Sequence, residues 1–201
     1  MFVGIIILIL LMLGVGFYEF KNKNQPLVDI NIQNTTYVDS AKTFSFSYPS
    51  QFSISDKETE NSQNWRVETP DLGLLLAVIQ IPKSFLPNTN FGEAKFTVGV
   101  SSNSNAVKNC VFSDNRNMET VNKVTIGSRE FTKVTFTDTG AGNYYDTTSY
   151  RTIYNNQCYA IEYTIHSSNI YNYPPEREIK EFDKIKINSV LENIVQSFKF
   201  I

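Results

Sequence analysis

The chain has 201 residues, enough for one anchor and one domain of ordinary size and too few for two full domains. Its 41% hydrophobic, 13% aromatic and 19% charged residues allow a buried core and exclude disorder, collagen and a disulfide-dense miniprotein. Lysine and arginine number 18 against 20 aspartates and glutamates, a net charge of −2. That balance has no cationic surplus for neutralising phosphates, so nucleic acid is not an expected partner.

Residues 1–18, MFVGIIILILLMLGVGFY, carry no charge and would form a helix of roughly 27 Å, just short of a bilayer core. Glu19, Lys21 and Lys23 mark the exit, and 1–20 is expected to be a single transmembrane anchor. A cleaved signal peptide is the alternative, but neither a basic leading segment nor a small-x-small cleavage site accompanies the apolar run. Taken literally, the positive-inside rule would leave the following domain in the cytoplasm because of Lys21 and Lys23.

The cysteines argue for the opposite side. Cys110 and Cys158 belong to no CxxC or Cys/His cluster, which leaves a disulfide or two buried thiols and makes a metal site unexpected. The disulfide is the favoured alternative. It would close about 48 residues, worth about 4 kcal/mol in the chain-entropy model, and would persist only in an oxidising compartment. The soluble domain is therefore expected outside the cytoplasm, on a single-pass protein of the cell membrane.

Residues 21–36, rich in Asn, Gln and Thr and interrupted by Pro26, are expected to be a tether with one edge strand near Leu27 to Ile32. The domain, 37–201, then begins at Tyr37. Phe44, Phe46 and Tyr48 alternate with Ser45 and Ser47 on a strand ended by Pro49, and Phe52 and Ile54 resume the alternation. Trp65 to Thr69 and Leu74 to Ile81 are the next strands, the second apolar on both faces and so expected centrally in the sheet. Phe96, Val98 and Val100 alternate again, and Ser104 to Phe112 is expected to be a short helix carrying Cys110.

Val121 to Ile126, Arg129 to Asp138, Tyr144 to Tyr154 and Gln157 to Ser167 form an expected antiparallel meander. Its turns are Gly127-Ser128, Gly140-Ala141-Gly142-Asn143 and Asn155-Asn156, whose glycines and asparagines tolerate positive φ. Beyond Pro174-Pro175 the period becomes helical, with Ile187, Val190, Leu191, Ile194 and Val195 striping a helix from about Asp183 to Gln196.

The opening Phe44-Ser-Phe46-Ser-Tyr48-Pro49, the meander, and the helix running into Ser197-Phe198-Lys199-Phe200 resemble the PsbP-like fold. That is the fold of an extrinsic photosystem II subunit. The resemblance implies an α+β domain in which an antiparallel sheet is sandwiched between helices, here preceded by an N-terminal transmembrane helix. Asp138-x-Gly140-Ala-Gly142-Asn143, Tyr150-Arg151, Cys158-Tyr159 and Tyr163-Thr-Ile-His166 are also similar to stretches of single-anchor bacterial extracytoplasmic proteins that carry no established activity. The anchor departs from the photosynthetic members, so a photosystem role would be analogy from fold alone.

His166 is the sole histidine, and any imidazole base must come from it. A two-residue turn at Asn155-Asn156 would pair Tyr154 with Gln157, and hence Tyr145 with His166 and Ser149 with Glu162. The preceding turn would pair Asp138 with Tyr145. Asp138, Tyr145 and His166 then form a row across three strands, the outer two about 10 Å apart. Arg151 stands diagonal to Glu162 on the same face, which also holds Cys158. Tyr159, Ile161, Tyr163 and Ile165 point to the core.

Asp138, Tyr145, Arg151, Glu162 and His166 are thus the expected binding surface, with ordinary hairpin stabilisation as the bland alternative. Asp138 and Asp146 do not have EF-hand spacing and read as turn formers. No phosphate loop, nucleophile elbow or HExxH motif occurs, and neither cofactor nor metal is expected. The expected function is a membrane-anchored extracytoplasmic binding, scaffolding or assembly module without catalysis, with an envelope protein as a possible partner. The alternatives are an envelope hydrolase using His166 with a carboxylate, and a pilin-like surface subunit, against which Pro26 interrupts the long helix.

Overall fold

A computed structural model of the chain describes residues 33–55, 73–111 and 120–201. The expected anchor, most of the tether and the strands expected at Leu27 to Ile32 and Trp65 to Thr69 lie outside the described residues. No helix among the described residues is long and apolar enough to cross a membrane.

Among the described residues, ten strands make two antiparallel sheets. The larger has seven strands in the order β3-β4-β5-β9-β8-β7-β6: Ser53–Ser55, Leu74–Ile81, Phe91–Ser101, Gln157–Ser168, Asn143–Tyr154, Arg129–Gly140 and Thr120–Ile126. The smaller has the order β1-β2-β10: Asn34–Val38, Phe44–Pro49 and Lys199–Phe200. β1 starts three residues before Tyr37, where the domain is expected to begin.

Turn chemistry sets the phase of the meander. Asn155 and Asn156 both take positive φ, at 49° and 57°, matching the right-handed twist of the strands they join, so Tyr154 pairs with Gln157 as expected. The preceding turn is tighter than its four-residue signature suggests. Gly140 and Asn143 extend the ladder, leaving Ala141 and Gly142 alone at positive φ.

One face of the large sheet is the core. The helix Lys184–Gln196, here α2, lays Ile187, Leu191, Ile194 and Val195 on it, the stripe read from periodicity, with Asp183 capping its first turn through the Lys186 N–H. The small sheet covers more of the same face. Phe46 meets Phe96 edge-on at 5.2 Å, and Phe198, between α2 and β10, meets Phe131 at 6.2 Å. Such aromatic contacts favour offset and edge-to-face geometry beyond simple burial.

Three expectations are corrected. β4 is the second strand from the edge, not a central one, because only the three-residue β3 lies outside it, and its fully buried residues are Ala77, Ile79 and Ile81. The sheet is not evenly sandwiched by helices. Among the described residues the opposite face, called outer here, carries only the helix Ser104–Lys108, α1, while the core face is shared by α2 and a second sheet. Finally, α1 ends before Cys110 instead of carrying it.

Cys110 and Cys158 are disulfide-bonded, with Cα atoms 5.5 Å apart and both side chains buried. The bond ties the segment after α1 to the first turn of ladder on β9.

Candidate functional site

The end of the outer face, beside the β7–β8 turn, carries the expected row. Register places Glu93, His166, Tyr145 and Asp138 abreast on β5, β9, β8 and β7. Tyr145 and His166 stack with ring centroids 4.7 Å apart and an interplanar angle of 9°. That separation equals the spacing of neighbouring strands, so both rings stand side by side off the sheet.

His166 is fixed on three sides. Asn143 donates its Nδ2 to the carbonyls of Gly140 and Ala141, which turns Oδ1 toward Nε2 of His166 at 2.9 Å. Nε2 must therefore carry the proton in this bond. The Nδ1 edge rests on Gly92, where a Cβ would lie only 2.5 Å from Nδ1. Glycine at this point, inside the irregular register between Phe91 and Glu93, leaves the ring its place. Tyr145 is 37% exposed and Asp138 and Glu93 are exposed, so the row faces solvent.

Arg151 and Glu162 share the face but not the row. Glu162 is four residues from His166 along β9 and Arg151 six from Tyr145 along β8, roughly 13 and 20 Å at strand rise. Glu162 faces Ser149 in register, and Arg151, buried, donates Nε to Ser149 Oγ at 3.2 Å. At the far end of the strands an open groove of about 360 Å³ is lined by Leu74, Val100, Ser101, Asn103 and Gln157 among others, with no titratable side chain among the described residues.

A second polar constellation lies on the core face, where the sequence expectation had only hydrophobic packing. Glu192 of α2 accepts three hydrogen bonds on one oxygen, Oε1: from Tyr150 at 2.6 Å, Tyr163 at 2.8 Å and Lys133 at 2.8 Å. The Lys133 ammonium also sits 5.1 Å from the Tyr150 ring centre. Burial, reinforced by the bond to Glu192, pushes the Tyr150 hydroxyl far above the ordinary phenol value. Burial is the chief cause of the rise at Tyr163 as well. At Glu192 burial acts upward too, but the bonds from Lys133, Tyr150 and Tyr163 and the lysine charge outweigh it and hold the carboxyl below its usual value. The signal in the sequence was the pair of core-facing tyrosines, since a buried phenol needs a polar partner.

No family model matches the chain, and neither does any curated protein. Among solved structures, the chain is similar to the solution structure of cyanobacterial PsbP (CyanoP) from Synechocystis sp. PCC 6803. The TM-score is 0.45 at 9% identity, over 85% of this chain and 94% of that one. The same score, at 12% identity over 83% of this chain, relates it to a crystal structure from Bacteroides thetaiotaomicron VPI-5482. The chain spans about half the length of that protein, 48%. Both likenesses concern the course of the chain and bring no site or activity with them.

Proposed function

We propose that the protein is a membrane-anchored, extracytoplasmic binding, scaffolding or assembly module that contacts an envelope protein through the Tyr145–His166 end of its outer sheet face. The observation that carries this reading is the solvent-facing aromatic stack, held in one orientation by Asn143 and Gly92. Ordering exposed side chains before contact lowers the entropy cost of binding, and aromatic anchors dominate contact energetics. The Cys110–Cys158 disulfide supports the extracytoplasmic placement, because such bonds are rare where thiols are kept reduced.

The geometry of His166 supports a non-catalytic role. Nε2 is engaged by Asn143, Nδ1 lies against the backbone at Gly92, and Asp138 is two strands away. A general base needs a nitrogen within reach of the proton it takes.

Two measurements test the reading. Protease added to intact spheroplasts is expected to digest the domain, and protection until lysis would overturn the topology. Tyr145→Ala and His166→Ala, in the full-length protein purified from its own membrane, are expected to lose the co-purifying envelope protein at unchanged melting temperature. Lower melting with full partner retention would make the stack purely structural.

A further inference from the structure

We infer that the domain rests on a lipid surface by the end that carries the β7–β8 turn and the first turn of α2, with Tyr171 and Ile185 entering the headgroup layer. This rests on the reading that the protein is membrane-anchored, and it leaves the protein contact of the Tyr145–His166 stack in place on the adjoining outer face.

The first ground is where the chain enters the domain. The Gln33 carbonyl accepts the Ser50 N–H at 2.9 Å, Phe52 meets Phe85 edge-on at 5.3 Å in the turn that follows β4, and the Lys186 ammonium of α2 lies 5.4 Å from the Phe85 ring centre. Entry is therefore at the end of the large sheet where α2 begins. Residues 21–32, between the expected anchor and Gln33, reach at most about 43 Å. β8 has 12 residues and runs roughly 40 Å from this end to the other. Bringing the far end to the bilayer would use almost the whole reach of that segment, whereas the near end needs little of it.

The second ground is exposure on ordered backbone. Tyr171 is 91% exposed and Ile185 80%, the two highest values for large apolar side chains among the described residues. Asn169 Oδ1 accepts the Tyr171 N–H at 3.0 Å, and Asn172 Nδ2 donates to the Gly142 carbonyl at 3.0 Å, which ties this turn to the β7–β8 turn. Ile185 stands in the first turn of α2, capped by Asp183 and fastened by Lys184 to Asp146 of β8 at 3.4 Å. Tyr144, two residues from Asp146 on the same face of β8, links the two places, its hydroxyl accepting Asn169 Nδ2 at 3.2 Å.

The third ground is chemistry. A tyrosine suits the headgroup level, where its ring meets apolar chain and its hydroxyl stays wet. Arg177, Lys180, Lys184 and Lys186 stand among Glu176, Glu178, Glu181 and Asp183, so this stretch has no surplus of charge to draw it to anionic lipid. Contact is made by insertion. Two protruding side chains on separate turns fit a soft surface that needs no matching shape.

Full-length protein in phosphatidylcholine vesicles tests this. The two native cysteines are bonded to each other, so a single cysteine introduced at an exposed position can carry a fluorophore. Ser84→Cys and Ser189→Cys report the near end, Leu74→Cys and Ile153→Cys the far end. Lipid spin-labelled at its headgroup is expected to quench the near-end labels several-fold more strongly than the far-end ones, with or without added phosphatidylglycerol. Tyr171→Ser combined with Ile185→Ser is expected to bring the Ser189→Cys signal down to the far-end level at unchanged melting temperature.

Equal quenching at both ends, stronger quenching at the far end, near-end quenching that survives the double substitution, or a pattern seen only with phosphatidylglycerol would each overturn the inference. A double variant that keeps near-end quenching but loses a co-purifying envelope protein would assign the two side chains to that protein instead. Flotation separates the layers of the argument. Protein that fails to float with the vesicles would overturn the anchor and this inference together, whereas protein that floats without near-end quenching would remove this inference alone.

Discussion

His166 occupies the space that any side chain at Gly92 would need: a Cβ there would lie 2.5 Å from Nδ1 and 3.0 Å from Cε1. The two residues sit on adjacent strands at the one irregular step of the β5–β9 ladder. The outer-face stack is thus set by backbone geometry on β5 as much as by Tyr145 on β8.

Gly92→Ala is expected to expel the imidazole, breaking both the Tyr145 stack and the Asn143 hydrogen bond. Overpacking of this kind costs about 1–3 kcal/mol. Urea unfolding gives the cost, and the His166 ring signals report the displacement. A variant with wild-type stability and an unmoved ring would mean that the β5 backbone yields instead.

Glu192→Ala removes the shared acceptor of Tyr150, Tyr163 and Lys133, leaving the two buried hydroxyls only their bond to each other and that of Tyr163 to Thr148. Destabilisation of about 2–4 kcal/mol is expected. Glu192→Gln, which keeps a carbonyl oxygen for the tyrosines, should cost less. Chemical denaturation of the three proteins in parallel decides it.

The same cluster predicts an acid limb in stability. The Glu192 carboxyl is held below its usual value in the folded state, so its contribution is complete above the unfolded value, about pH 4.5, and disappears as pH falls through the folded one. Unfolding free energy followed from neutral to acid pH should fall less steeply in Glu192→Gln than in the wild type. Parallel curves would remove Glu192 from the account of acid unfolding.

An alkaline limb should mirror it. The hydroxyls of Tyr150 and Tyr163, and that of Tyr159 through burial first and the Asp39 charge next, are raised. Their stabilising contribution is present below the unfolded phenol value, about pH 10, and is lost as pH rises above it. In a tyrosinate absorbance titration, Tyr159 should ionise late, and Tyr150 and Tyr163 only with unfolding.

Reduction of the Cys110–Cys158 bond, or its replacement by Cys110→Ala with Cys158→Ala, should destabilise the domain by about 4 kcal/mol, as expected for a separation of 48 residues. Melting curves with and without reductant measure this directly. An unaltered midpoint would mean that the unfolded chain is already constrained.

The meander was legible because its turns are chemically specific: Asn155-Asn156 and Ala141-Gly142 admit the positive φ of tight hairpins, and one fixed turn fixes every pair along the ladder. That is why the Tyr145–His166 pairing could be read from letters alone. The division into two sheets was not legible, since the alternation in Phe44 to Pro49 says which face is buried and not which strands lie alongside. Arg151 shows the same limit. Its face was deducible, whereas its burial depends on what covers that face. Glu192 follows Leu191 on the helix and reads as a solvated polar position until two tyrosines from separate strands arrive beneath it.

The pairing of β5 with β9 has a kinetic consequence. Strands β6 to β9 are joined in sequence by tight turns and can zip together through local contacts, whereas Ser101 must find Cys158 across the whole meander. Loop-closure entropy makes such distant contacts late. The disulfide spans the same interval, from Cys110 to Cys158, so the four-stranded meander is expected to form first, and both the arrival of β5 and the joining of the two cysteines to follow it. Oxidation that precedes the hairpins would close a loop of unstructured chain. Oxidation that follows them would seal a sheet edge already in place.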